Sequence, residues 1–113
     1  TGIGSSVAYA ATKGALNTMT LSLARALAPE IRVNAICPGF IGTRWFKDKM
    51  DEEQYQRMEA SVAAATPLNV ASGPDDIADS ALFFLTDASR HVTGETLLVD
   101  AGTHLGYAPL TAR

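Results

Sequence analysis

At 113 residues the chain is long enough for one domain at most. It is 47% hydrophobic and 19% charged, which excludes disorder as a whole-chain state, and a net charge of −3 with no basic block argues against nucleic acid as a partner. No apolar run approaches the roughly 20 residues that cross a bilayer, so a membrane is not expected as a partner.

Thr1 to Ser5 is glycine-rich and polar and reads as a loop. No charged-then-apolar opening marks a signal peptide. The single cysteine, Cys37, cannot close an internal disulfide. Together these point to a reduced, cytoplasmic setting, with Cys37 as a small core residue.

Ser5 or Ser6 can cap a helix that runs from Val7 to Ala28, where Pro29 stops it. This helix is small or apolar nearly all round, through Ala8, Leu16, Met19, Leu23 and Leu27. Such a helix needs cover on several sides. One face suits a sheet and another suits a second helix, including one from a second subunit, so a homo-oligomer, a dimer or tetramer, is expected of the full-length protein.

Tyr9 and Lys13 lie four positions apart on this helix and therefore share a face. A cation held near a phenol favours the phenolate, and a phenol so tuned can exchange a proton with a substrate oxygen. The spacing alone is weak, because a chain of this size meets it by chance in roughly one case in five. A surface tyrosine beside a solvated lysine is the plain alternative.

Ile31 to Cys37 is short, β-branched and bounded by Pro29 and Pro38-Gly39, the pattern of a buried strand. Helix, turn and strand imply a parallel sheet, in which ligands bind beyond the carboxyl ends of strands. Pro38 to Thr43 occupies such a place, and a ligand contact and a simple turn are both open there. Trp45, Phe46 and Met50 then mark an apolar wall. Asp51 with Gln54 opens a second helix to about Ala65 as a capping box, and its polar first half suits either a lid or a solvated helix.

Gly73-Pro74-Asp75-Asp76 starts a third helix, which ends near Thr86. Asp87 to His91 reads as a polar turn and Thr96 to Asp100 as a second buried strand, broken by Ala101-Gly102. The tail from Thr103 to Arg113 has no clear period. His91 and His104 read as surface or turn residues, and no metal site is expected.

The order of motifs resembles the C-terminal half of the short-chain dehydrogenase/reductase family. The matching pieces are Tyr9-Ala-Ala-Thr-Lys13-Gly14-Ala15, Ile31-Arg-Val-Asn-Ala-Ile-Cys-Pro-Gly39, Thr43, Pro74-Asp-Asp-Ile-Ala78, Val92-Thr-Gly94 and Leu98-Val-Asp100-Ala-Gly102. The resemblance implies an α/β fold: the C-terminal portion of a Rossmann-type parallel sheet, with two strands and three to four flanking helices in this chain. It implies hydride transfer between NAD or NADP and a small-molecule alcohol or carbonyl. Tyr9 would be the catalytic acid/base, and Lys13 would bond the nicotinamide ribose and lower the tyrosine pKa. The backbone of Ile41 and the side chain of Thr43 would hold the carboxamide, Pro38 and Gly39 would line the ring, and residues 44–68 would form the substrate lid.

Departures accompany the likeness. No strand precedes Thr1-Gly2-Ile3-Gly4, so these residues cannot form the family's phosphate loop. The positions of the catalytic serine, of an upstream asparagine and of the residues that choose NAD or NADP would fall before Thr1. Ala101 replaces a frequent glycine. The expectation is therefore the C-terminal part of a longer enzyme, with the isolated 113 residues binding dinucleotide poorly and catalysing nothing. The other reading is a truncated, non-catalytic relative serving as an assembly or regulatory module. An epimerase or dehydratase of the extended family would carry a longer segment after Gly102.

Overall fold

The computed structural model describes residues 6–106, so the loop expected at Thr1–Ser5 and the last part of the tail lie outside the described residues. The elements are α1 (Val7–Leu27), β1 (Ala35–Pro38), α2 (Arg44–Lys47), α3 (Glu52–Ala65), α4 (Pro74–Leu85) and β2 (Thr96–Val99). Single 3₁₀ turns occupy Asp87–Ser89 and Thr103–Leu105. β1 and β2 form a two-stranded sheet. Ala35 N–H donates to Glu95 O at 2.8 Å and Gly39 N–H to Val99 O at 3.1 Å, so the register advances in one direction and the pair is parallel. The α/β class expected from the sequence is what is observed. Among the described residues there are two compact units, 6–36 with 81–97 and 37–80 with 98–106.

In the first unit Ser6 caps α1, its Oγ accepting from Tyr9 N–H at 3.1 Å. Only Thr20 and Ala24 of α1 are buried. Gly94, at φ +76, turns the chain close against this strip: a Cβ there would lie 3.5 Å from Ala24 Cβ and 3.8 Å from Leu21 Cδ2. The cover expected on several sides is not supplied by the described residues. Val7, Leu16, Met19 and Leu21 are all exposed. A helix of 21 residues is about 30 Å long, and a strand of four residues reaches only about 13 Å.

The strand expected at Ile31 begins at Ala35 instead. Ile31 N–H still bonds back to Leu27 O at 2.9 Å. Beyond it, one main-chain bond, from Gly94 N–H to Val33 O at 2.7 Å, is joined by side-chain bonds in place of a regular ladder. Arg32 donates to Val92 O at 3.0 Å and to Phe84 O at 2.8 Å. Asn34 donates to Val92 O at 3.1 Å and accepts from Glu95 N–H at 3.0 Å. Neither strand is fully buried as expected. Each has a single partner strand among the described residues, Cys37 on β1 is half-buried rather than core, and Leu98 on β2 is exposed.

In the second unit α3 carries the expected capping box: Gln54 N–H donates to Asp51 Oδ1 at 2.8 Å, and Asp51 N–H to Gln54 Oε1 at 3.1 Å. α4 starts at Pro74, with Asp76 accepting from Gly73 N–H at 2.7 Å. Ile41 and Ser72 form a parallel bridge. β2 stops at Val99 rather than Asp100, because the Asp100 carboxylate turns onto the N–H groups of Gly102 and His104, at 3.0 Å each. The part of the tail that is described, Thr103–Leu105, is one 3₁₀ turn.

Candidate functional site

Tyr9 sits in the first turn of α1, where the Ser6 cap fixes its backbone, and Lys13 sits one turn on. The Lys13 Nζ lies 5.3 Å from the centroid of the Tyr9 ring. The two side chains do share a face, as the i, i+4 spacing requires. Tyr9 is 53% exposed, so its phenol is open to a reacting molecule while the ammonium stays beside it. Thr12 Oγ1 donates to Tyr9 O at 2.7 Å and ties this turn together.

Pro38, Gly39, Ile41 and Thr43 belong to the second unit, on the segment that leaves β1. Gly39 is there for space: a Cβ would lie 2.8 Å from Asp100 Cβ and 3.0 Å from Asp100 Cα. Phe40 packs on Phe46 with ring centroids 5.0 Å apart. Ile41 bridges to Ser72, and Gly42 N–H donates to Ser72 O at 2.9 Å. Thr43 holds the N-cap position of α2 without a side-chain capping bond, so its hydroxyl is left for another partner. The structure therefore brings Tyr9 together with Lys13, and Pro38 at the end of β1 together with Gly39, Ile41 and Thr43 on the loop that follows it.

Residues 44–68 hold α2 and α3. Trp45 is exposed, with Lys49 Nζ 3.3 Å from its ring centroid. Tyr55 is the buried residue of α3, and Lys47 Nζ lies 5.0 Å from its ring centroid. Sequence reasoning passed over Tyr55, because it lies in a polar run and only its burial sets it apart.

Asp100 and His104 were also read apart, although their i, i+4 spacing held the signal. His104 Nδ1 lies 3.0 Å from each Asp100 carboxylate oxygen. Two acceptors facing one ring nitrogen require that nitrogen to carry the proton. Burial by itself pushes the Asp100 carboxyl up. The hydrogen bonds from the His104 side chain, His104 N–H and Gly102 N–H outweigh it and hold the carboxyl below its usual value. The pair lines a cavity of about 520 Å³ with Leu68, Val70, Ser72 and Asp76. His104 itself is exposed and in a turn, as read from the sequence. Among the described residues no three His, Cys, Asp or Glu side chains gather to hold a metal ion.

Residues 1–104 match the family model described as enoyl-(acyl carrier protein) reductase. The chain is 39% identical over 105 residues to the short-chain dehydrogenase/reductase homolog YusR of Bacillus subtilis, covering 93% of this chain and 75% of that protein. It superposes on a small-chain dehydrogenase in complex with NADPH with a TM-score of 0.74 at 34% identity, covering 86% of this chain and 42% of that one. It superposes on 4-hydroxyisoleucine dehydrogenase complexed with NADH with a TM-score of 0.72 at 30% identity, covering 88% of this chain and 40% of that one. Apart from the YusR homolog, the chain spans between 33% and 39% of the length of the curated relatives compared. With a family model matched over nearly its whole length and a relative spanned over three quarters, the chain belongs to the short-chain dehydrogenase/reductase family.

Proposed function

We propose that the native protein containing this chain is an NAD- or NADP-dependent oxidoreductase that interconverts a small-molecule alcohol and its carbonyl. The observation that carries this reading is the Tyr9–Lys13 pair, an exposed phenol with an ammonium 5.3 Å from its ring centroid, in a chain of this family. The solved relatives with NADH and with NADPH support either dinucleotide.

The residues present fit such a cofactor. The Thr43 hydroxyl makes no capping bond, and the Ile41 backbone beside it is anchored by Ser72, which suits a carboxamide that both donates and accepts. Pro38 and Gly39 offer a face without long side chains to the nicotinamide ring. When bound, the dinucleotide supplies or accepts the hydride. Lys13 would bind the ribose hydroxyls through its ammonium donors, and it holds a positive charge beside the Tyr9 ring. Tyr9 holds the proton at its Oη, gives it to the carbonyl oxygen in reduction and takes it from the alcohol in oxidation. Residues 44–68 close over the substrate as a lid that excludes water.

Tyr9→Phe tests the reading. Dehydrogenase and reductase activity of the native protein, followed by nicotinamide absorbance over a panel of secondary alcohols and ketones, is expected to fall about 10²- to 10⁴-fold. The unfolding curve should not move, because the ring is half outside the protein. Full activity in the variant sinks the assignment of Tyr9.

One observation favours a second reading, a non-catalytic assembly module. α1 exposes Leu16, Met19, Leu21 and Leu23, an apolar surface that suits another protein face. A wild-type protein that turns over no member of the panel with either dinucleotide would favour the module.

A further inference from the structure

We infer that Tyr55 is a positioning residue, which latches the loop Ile41–Thr43 to helix α3 by filling the space beside Gly42. The inference rests on the proposed reading of Ile41 and Thr43 as the nicotinamide-binding pair, and it deepens that reading.

Tyr55 is the buried aromatic residue among those described, at 6% exposure, on a helix whose other large side chains are exposed or half-buried. Its ring tip points at Gly42. A Cβ added at Gly42 would collide with Tyr55 Oη, while Tyr55 Cζ would lie 3.7 Å away at ordinary contact. Gly42 is not one of the positive-φ glycines, which are Gly94, Gly102 and Gly106. Its backbone conformation therefore admits a side chain, and what excludes one is the phenol hydroxyl.

The loop is held on a second side by the ladder to Ser72, through the Ile41 bridge and the Gly42 N–H bond of 2.9 Å. α2 completes the closure. It starts from Thr43, and its Lys47 lays Nζ 5.0 Å from the Tyr55 ring centroid. Loop, short helix and lid helix thus meet at one ring. A shift of α3 moves Gly42, and Gly42 moves the Ile41 and Thr43 groups on either side of it. Lid position and nicotinamide grip are one variable rather than two.

The closing experiment is a suppressor test in the native protein. NADH and NADPH affinities are measured by fluorescence titration, and backbone-amide exchange is measured at Gly42 and Thr43. Gly42→Ala is expected to weaken dinucleotide binding about tenfold or more, the equivalent of an ordinary overpacking strain. The double variant Gly42→Ala with Tyr55→Phe removes only the colliding oxygen, and it is expected to return binding to within about threefold of wild type. Ser89→Ala, which removes a buried hydrogen bond to Thr86 O in the other unit and touches neither residue, should lower stability without this loss of affinity. Binding that tracks stability across all three variants overturns the inference.

A double variant as weak as Gly42→Ala also overturns it, as does a Gly42→Ala protein that binds like wild type. If Gly42→Ala does not fold, restored folding in the double variant supports the latch and continued failure overturns it. A wild-type protein that binds neither dinucleotide overturns the proposed function, and with it the cofactor role of the latch. Amide exchange then decides the latch itself: faster exchange at Gly42 and Thr43 in Gly42→Ala, restored in the double variant, supports it, and unchanged exchange overturns it.

Discussion

Gly39 and Asp100 lie backbone against backbone: a Cβ on Gly39 would be 2.8 Å from Asp100 Cβ and 3.0 Å from Asp100 Cα. These atoms belong to the main chain or are fixed to it, so no rotamer change relieves the contact. Gly39→Ala is expected to destabilise the protein by about 1–3 kcal/mol, read as a lower urea midpoint. Gly14→Ala is the matched comparison. It lies within α1 with nothing inside 4 Å of its Cβ position, and the change should stabilise by up to about 1 kcal/mol. Equal effects of the two substitutions would disprove the close approach.

Ala101 occupies the left-handed region at φ +54, where the resemblance to the family led us to expect glycine. An L-residue there carries about 1–2 kcal/mol of strain, and glycine gives part of it back through the entropy of its unfolded state. Ala101→Gly is therefore expected to raise stability by up to about 1 kcal/mol, measured by thermal unfolding. A lower melting temperature would show that the Ala101 side chain contributes packing that outweighs the strain.

The Asp100–His104 pair predicts the shape of the acid limb of stability. The Asp100 carboxyl is held below its ordinary value of 3.8 in the folded protein. A depressed carboxyl contributes stability that is fully present above its unfolded pKa and is lost as pH falls through the folded one. Wild type should therefore lose stability between about pH 5 and pH 3 more steeply than Asp100→Asn, which has no charge to titrate. Parallel acid limbs for the two proteins would remove Asp100 as the cause.

Much of this molecule was legible in the chain. The Ser6 cap, the small apolar run and Pro29 announced α1, and Asp51 with Gln54 announced α3, because each signal is written within four residues of where it acts. Tyr9 and Lys13 were legible for the same reason. The start of β1 was not. Ile31 to Asn34 is β-branched enough for a strand, but Arg32 and Asn34 spend their side chains on carbonyls and an amide near Phe84, Val92 and Glu95, and the ladder opens only at Ala35.

The sequence by itself determined the three long helices, the caps of α1 and α3, the parallel α/β class and the family, since these depend on spacing, capping and turn chemistry between near neighbours; the short helix α2 was not among them. Only the tertiary structure decided which side chains are enclosed. Trp45 and Tyr55 are both large aromatics in the same segment, residues 44–68, yet Trp45 is 67% exposed and Tyr55 6%. Gly42, a distant position without a side chain, leaves room for the Tyr55 phenol. Likewise Asp100, at the end of β2, meets the remote Gly39. Burial is set by whatever remote segments arrive beside a residue, and no local pattern carries that information.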